Sequence, residues 1–498
     1  MDVNPLATRV EKLTALLDVG KAMASERNLD RLLQLILGEV TKVMEADRSS
    51  LFLVDRERNE LWSKIAQGLE VREIRIKIGM GISGYVAQTG KTVNIQDAYN
   101  DPRFNQETDR RTGYRTHSIL CVPMSNKMNE VIGVLQVLNK RDGVFTREDE
   151  ELLLALSSQG AVAIENAILY EDIQRLFEGF IKASVYAIES RDPTTSGHSE
   201  RVAILTVALA ENVDRVDSGP YAGIAFSPED MRELRYASLL HDFGKVGVRE
   251  PVLVKANKLY PHTLEIVGAR FKLIKKSLEN SYLQKKLGLA LTLGPGCDRD
   301  LAALDEELRQ RQAEVDEQFK LIQEANKPTV FLQGGFERIQ ELAANTFADD
   351  DDTKVPFLTT KEAENLSIGK GSLNLQERLE IESHVTHSFR FLRQIPWTRD
   401  LRRIPTIVYA HHERLNGKGY PNGLRGEDIP LQARMMAICD AYDALTAADR
   451  PYKRALSPEQ ALEILGAGAK EGTLDHELVR IFAESKVWSR TVGMRPEA

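Results

Sequence analysis

Nine histidines occur in this 498-residue chain, and six of them fall between His241 and His412, with His198 just upstream. Their neighbours carry the chemical information. His241 and Asp242 are adjacent near the end of a helix-patterned run, LRYASLLHDFGK. An imidazole nitrogen beside a carboxylate oxygen suits borderline divalent metals such as iron, manganese or zinc. His411 and His412 form a second adjacent pair, followed by Glu413. On a helix, consecutive side chains diverge by about 100°, so such a pair can serve two metals, or one metal and a substrate. Asp440 lies in an apolar helical run, ARMMAICDAYDALTA, where an unpaired carboxylate is costly and a metal offsets that cost. Each feature alone has a plainer reading. An HD dipeptide is ordinarily a helix surface feature, and Asp440 can pair with an arginine such as Arg434. Their joint occurrence in one helical region favours a metal centre.

The segments HDFGKVGV, HHERLNGKGYPNGL and AICDAYDALTAADRPYKRAL follow one another in the chain. In that order they resemble the HD-GYP subfamily of HD-superfamily phosphohydrolases, over roughly residues 180–280 and 375–480. The resemblance implies hydrolysis of cyclic di-GMP to the linear dinucleotide pGpG or to GMP. It also implies two divalent metal ions, iron or manganese first, with zinc, nickel or cobalt as alternatives. Matching the motifs makes His241, Asp242, His384, His411, His412 and Asp440 the metal ligands, with His198 binding metal or lining the site. Asp242 would bridge the metals and orient the nucleophile, and Lys245 would present a point charge to a phosphate. Arg450 and Lys453 match the family's second phosphate contact, against the plainer reading of a solvated basic loop. Gly419, Tyr420 and Pro421 form the family's signature loop, which would bring Tyr420 to the ligand and offer a surface to signalling proteins; its plainer reading is a turn.

Three departures stand out. Asn416 replaces the family's usual Asp before Gly417, which alters a loop hydrogen bond. Thr194 stands four residues before His198, where three-metal members carry Glu, and this favours a two-metal site. About 140 residues separate Asp242 from His384, implying an inserted arm at about 280–375, where Leu301, Leu308, Val315 and Ile322 recur at heptad spacing. His384 is preferred over His387 as the ligand because ERLEIESHV matches the family's helix.

The elements that must position these groups divide the chain in two. LDRLLQLILGEVTKVM places Leu32, Leu33, Leu35, Ile36, Val40 and Val43 on one helical stripe. Short β-branched runs follow, SSLFLVD to VIGVLQVLNK, separated by Gly, Asn and Asp turns. This order predicts an α+β domain around an antiparallel sheet, over residues 1–170. It resembles a GAF domain, and NKRDGVFTREDE fits the motif of GAF domains that bind cyclic AMP or cyclic GMP: Asn139, Lys140, Phe145, Asp149 and Glu150. A Lys to Asp pair there can equally lock the last strand to the closing helix, and other small ligands or pure dimerisation are alternatives. No helix breaker interrupts residues 146–192, so one connecting helix is expected, with apolar positions that would pair in a parallel homodimer. Residues 180–485 are expected to be an all-α HD-superfamily domain.

Composition bounds the rest. A net charge of −8 gives no general reason to bind DNA or RNA polymers. No run of about 18 uncharged apolar residues occurs, no membrane association is expected, and the N-terminal residues do not resemble a secretory signal. With only Cys121, Cys297 and Cys439, a disulfide framework is not expected, and the cytoplasm is. The competing reading of the whole chain is a cyclic-dinucleotide sensor without turnover, or a hydrolase of another cyclic dinucleotide.

Overall fold

The computed structural model describes residues 17–63, 74–191, 196–294, 296–328, 335–348, 353–447 and 455–494. Arg450, Lys453, Thr194 and the Asp349–Asp352 run lie outside these residues. The chain divides after Gly179 into two units.

In the first unit, helix α1 (Leu29–Val43) is capped by the Asn28 side chain, which accepts from the Arg31 amide, and it buries Leu32, Leu33, Ile36, Leu37 and Val40. Six antiparallel strands follow: β1 (Ala46–Asp55), β2 (Glu60–Ser63), β3 (Ile74–Lys77), β4 (Val93–Ile95), β5 (Ile119–Ser125) and β6 (Val131–Lys140). They form one sheet in the order β3-β2-β1-β6-β5-β4. Two-residue alternation divides the sheet's side chains between two cores. Leu51, Leu53, Leu120, Val122, Leu135 and Val137 join α1 on one face. Phe52, Ile119, Cys121 and Val134 join Ile82 and Val86 of helix α2 (Gly81–Thr89) on the other.

Helix α3 spans Arg147–Glu189 without a break. By length and composition it is apolar enough to cross a membrane. Its first half is nevertheless a core helix, with Leu153, Leu156, Ala161, Ile164 and Ala167 buried against the α1 side of the sheet.

The second unit is built from α4 (His198–Val213), α5 (Pro228–Leu240), α6 (Pro261–Leu293), α7 (Asp298–Ala325), α8 (Gly335–Ala344), α9 (Thr360–Leu366), α10 (Leu375–Glu382), α11 (His384–Leu392), α12 (Ile404–Tyr409), α13 (Leu431–Thr446), α14 (Pro458–Lys470) and α15 (His476–Glu484). The unit is largely helical, as expected, and within it β7 (Thr346–Ala348) and β8 (Lys354–Pro356) pair as a short hairpin. The β-formers Thr346, Phe347 and Val355 favour it, but strands of three residues are too short to show a period. The first helix of the insertion, α6, opens at Pro261, ahead of the expected bound near 280, and runs unbroken to Leu293. Helices α6 and α7 share a core with α8 and α9, including Phe271, Val315, Ile322, Ile339 and Leu366. The arm's base is closed where the Lys258 amide donates to the Asn326 carbonyl at 2.9 Å and the Leu259 amide donates to Asn326 Oδ1 at 2.7 Å.

Candidate metal centre

Helix α5 starts at a capping box between Ser227 and Asp230 with Pro228 in its first turn, and it delivers His241 at its C-terminal end. Asp242 then opens a 3₁₀ turn, Phe243–Gly247, that carries Lys245. This turn is held against α11 by Ser388. Its hydroxyl accepts from the Gly244 amide at 2.7 Å and donates to the His241 carbonyl at 3.0 Å. Gly244 lies so close to the His384 carbonyl and the Ser388 amide that a Cβ there would clash with backbone. The His241–Asp242 corner and the start of α11 therefore sit together by construction.

Three histidines share one hydrogen-bond pattern. His241 Nδ1 lies 2.7 Å from the Ser238 carbonyl, His384 Nδ1 lies 2.6 Å from that of Ile381, and His411 Nδ1 lies 2.6 Å from that of Val408. A carbonyl only accepts, so each Nδ1 carries the proton and each Nε2 keeps its lone pair. All three Nε2 atoms are buried without a hydrogen-bond partner. Burial holds His384 and His411 below the usual imidazole range, and it pushes His412 down to about 3.

The carboxylates complete the cluster. Asp242 Oδ2 faces His241 Nε2 at 3.4 Å and His198 Nε2 at 3.8 Å, while its Oδ1 faces His384 Nε2 at 3.4 Å. One carboxylate thus presents an oxygen to each histidine group. Lys245 Nζ lies 2.8 Å from Oδ2. Burial raises the Asp242 pKa, but Lys245 and His241 outweigh it and keep the group ionised. Asp440, on α13, is 3.3 Å from His198 Nε2. His198 differs from the other histidines because its Nδ1 meets a carboxylate, Asp443 Oδ2, at 2.7 Å. Burial lowers its pKa, yet Asp440 and Asp443 more than compensate and raise it to about 9.

Donor atoms gather in two groups, His384 with His411 and His412, and His198 with His241 and Asp242, each within 4.8 Å of one another. Nitrogen and carboxylate donors of this kind, with three orphaned Nε2 atoms among them, fit a pair of divalent cations.

The signature loop lies against this cluster. The Tyr420 ring centroid is 4.8 Å from that of His412, and burial pushes its phenol pKa up. Glu413, itself buried, shapes the loop by accepting from the amides of Asn422 at 2.7 Å and Leu424 at 2.9 Å. A Cβ on Gly419 would clash with the backbone of Glu413 and Arg414. Asn416 accepts from the Lys418 amide at 3.0 Å. Pro421 follows Tyr420 in the same loop. Arg434 does not pair with Asp440; it reaches Asp475 Oδ2 at 3.2 Å. His387 packs beside Gly247, away from the donor atoms.

Motif matching missed Asp443, Arg201, Ser388 and the loop-shaping role of Glu413. Asp443 had a signal, since it is the second acid in the otherwise apolar run CDAYDALTA. Ser388 had none.

In the first unit, Lys140 Nζ bonds Asp149 Oδ1 at 3.1 Å and the Met44 carbonyl at 3.1 Å. Asn139 accepts from the His117 amide at 2.6 Å and donates to the Arg115 carbonyl at 2.9 Å. Phe145 is in the core, and Glu150 accepts from Asn94 at 2.9 Å. The motif side chains tie β6 and its neighbours to the start of α3.

Comparison with known families agrees with this layout. The GAF domain family matches residues 28–164, the HD domain family matches 195–290, and a second HD domain profile matches 359–478. The chain is 37% identical over 188 residues to the Probable 3′,5′-cyclic phosphodiesterase pde-5 of Caenorhabditis elegans, covering 35% of this chain and 26% of that protein. It is 40% identical over 167 residues to the Dual 3′,5′-cyclic-AMP and -GMP phosphodiesterase 11A of Takifugu rubripes, covering 31% of this chain and 18% of that one. The chain thus spans about a quarter or less of these curated relatives. Among solved structures, the GAF domain of a phosphoenolpyruvate-protein phosphotransferase from Coxiella burnetii aligns with a TM-score of 0.30 and 25% identity, covering 32% of this chain and 96% of that one.

Proposed function

We propose that this chain, a GAF domain followed by a largely helical HD-domain region, is a metal-dependent phosphodiesterase that hydrolyses cyclic di-GMP under the control of its GAF domain. The observation that carries the reading is that the unpartnered Nε2 atoms of His241 and His384 face the two oxygens of one carboxylate, Asp242.

His198, His241, Asp242, His384, His411, His412 and Asp440 would hold the cations. Divalent cations in such a donor set supply Lewis acidity toward a phosphodiester and lower the pKa of water. The chain's own groups do the rest. Backbone carbonyls fix the imidazole tautomers, Lys245 balances Asp242 and presents positive charge, and the Glu413-shaped loop sets Tyr420 beside His412. The match of Gly419, Tyr420 and Pro421 to the HD-GYP loop supports a cyclic dinucleotide. Arg450 and Lys453 are carried by that match alone as phosphate contacts.

A second substrate reading, a cyclic mononucleotide, is favoured by the names of the two relatives. Purified protein loaded with manganese or iron, offered cyclic di-GMP, cyclic AMP and cyclic GMP in parallel, separates the readings. The expected result is turnover of the dinucleotide to pGpG or GMP, lost in Asp242→Ala and His384→Ala. Turnover of a cyclic mononucleotide alone replaces the substrate, and tight binding of cyclic di-GMP without turnover replaces the enzyme with a sensor.

Cyclic AMP or cyclic GMP is the proposed GAF ligand, supported by the motif match, with the motif side chains shaping the corner after β6. A parallel homodimer is proposed through α3. Asn166, Leu169, Ile173, Leu176, Phe180, Ala183 and Ala187 follow alternating three- and four-residue spacing, and all seven are exposed. Leu176, for example, is 75% exposed. This is the seam of a two-stranded coiled coil, and an Asn on such a seam specifies register. Three free, buried cysteines support a reducing, cytoplasmic setting.

A further inference from the structure

The C-terminal end of α3 is joined by hydrogen bonds to both of the segments that carry the Asp242 and His198 side chains. Glu189, the last residue of the helix, accepts from the Gly197 amide through Oε2 at 2.9 Å and from the Ser199 amide through Oε1 at 3.2 Å. Gly197 is the N-cap of α4, in the left-handed region at φ 66° and with no capping side chain of its own. The carboxylate of Glu189, eight residues upstream of Gly197, therefore does the work of a cap. The residue it flanks on both sides is His198. Two residues on, Arg191 donates from Nη1 to the Val246 carbonyl at 2.5 Å and from Nη2 to the Val248 carbonyl at 3.4 Å. Val246 follows Lys245 directly, in the turn that begins after Asp242. Ile188, just before Glu189, is buried and anchors the end of the helix.

We propose that Glu189 and Arg191 are positioning residues that couple the end of α3 to the metal centre. Glu189 sets the axial position and rotation of the first turn of α4, and with it His198. Arg191 fixes the 3₁₀ turn, and with it Asp242 and Lys245. His384, at the start of α11, and His411 and His412, just after α12, have no such contact among the described residues. A rotation or shift at the end of α3 thus acts first on His198, Asp242 and Lys245, and reaches His384 through the Ser388 and Gly244 contacts. This inference rests on the metal-centre reading, and it supplies the physical contact through which events along α3 reach that centre.

The test uses the full chain, with Mn²⁺ affinity measured by calorimetry beside kcat and KM for cyclic di-GMP. Glu189→Ala and Arg191→Ala are expected to weaken Mn²⁺ binding and lower kcat by about tenfold each, the scale seen when groups supporting metal ligands are removed, with KM changed less than about twofold. Glu189→Gln keeps one acceptor oxygen for an amide and is expected to recover most of the loss. Arg191→Lys, which lacks the planar fork, is not. A lowered melting temperature in both alanine variants with unchanged Mn²⁺ affinity and kcat would mean a purely structural role and would overturn the proposal. If the wild-type protein binds Mn²⁺ but turns over no cyclic nucleotide, the phosphodiesterase reading fails, while the Mn²⁺ affinities of the variants still decide the coupling.

Discussion

His198 and Asp443 meet at 2.7 Å across 245 residues of chain, and Arg201 closes on the same carboxylate through Nε at 2.7 Å and Nη2 at 3.0 Å. All three side chains are buried. Removing the carboxylate leaves Arg201 as a buried charge without its main partner. Asp443→Ala is therefore expected to cost about 3–5 kcal/mol of stability, read by urea denaturation of the metal-free protein. Asp443→Asn keeps the shape but not the charge. It is expected to fold and to bind Mn²⁺ about 10-fold more weakly, because His198 loses its orienting partner. Unchanged affinity in Asp443→Asn would remove His198 from the metal centre.

The unpartnered imidazoles predict a gain in stability on metal binding. A cation present at about 100 times its Kd adds about 2.7 kcal/mol when it binds only the folded chain. Thermal scans of metal-free protein with and without Mn²⁺ should show the rise in wild type and lose most of it in His384→Ala and His411→Ala. A rise of equal size in those variants would place the cation elsewhere.

Glu413 holds the Tyr420 loop by accepting from the backbone amides of Asn422 and Leu424. Glu413→Ala should cost about 1–3 kcal/mol, the scale for hydrogen bonds to a charged acceptor. Activity should respond through KM for the nucleotide more than through metal affinity. A variant with wild-type KM would show that the loop does not touch substrate.

Acid sensitivity should follow the Lys140–Asp149 pair. Burial pushes the Asp149 pKa up, but the Thr146 amide and Lys140 outweigh it, so the group titrates below its ordinary value of 3.8. The folded state thus binds this proton less readily than the unfolded state. The contribution is present above pH 4 and is lost as pH falls through the folded pKa. Asp149→Asn should lower stability at pH 7, and the gap from wild type should narrow as pH drops below about 4. A gap independent of pH would mean that the pair contributes no charge interaction.

The seam on α3 predicts a dimeric wild type by light scattering at micromolar concentration, and monomers for Leu176→Glu and Phe180→Glu. Replacing Asn166 with Leu should keep association but relax its register, read as more than one oligomeric species. A monomeric wild-type protein would refute the seam.

What the sequence made legible was chemistry held in short words. His241–Asp242 and His411–His412 can be read because a cation's ligands are few in type and here stand side by side. The strands were legible as β-branched runs between turn residues, but the split of Leu51 and Leu53 from Phe52 between two cores was not, because all three are apolar. Ser388 and Arg201 were not, since each acts on a segment distant in sequence, nor was Glu189, since such residue types are common on helix surfaces. The start of the arm escaped for a related reason. Helical periodicity continues from the domain into the insertion, so only tertiary packing reveals where α6 leaves one core for another.

The closed base of the arm has a consequence for how this chain tolerates change. Lys258 and Asn326 meet like the two sides of a stem, and the hydrophobic residues grouped around α6 to α9 all lie between Leu259 and Leu366. The distance the chain must bridge at that stem does not depend on how far α6 and α7 extend beyond it. Length can be added or trimmed at the tip, turn by turn, while the spacing between the two histidine groups stays as it is. The insertion is in that sense a separable extension, free to acquire its own surface and its own rate of change.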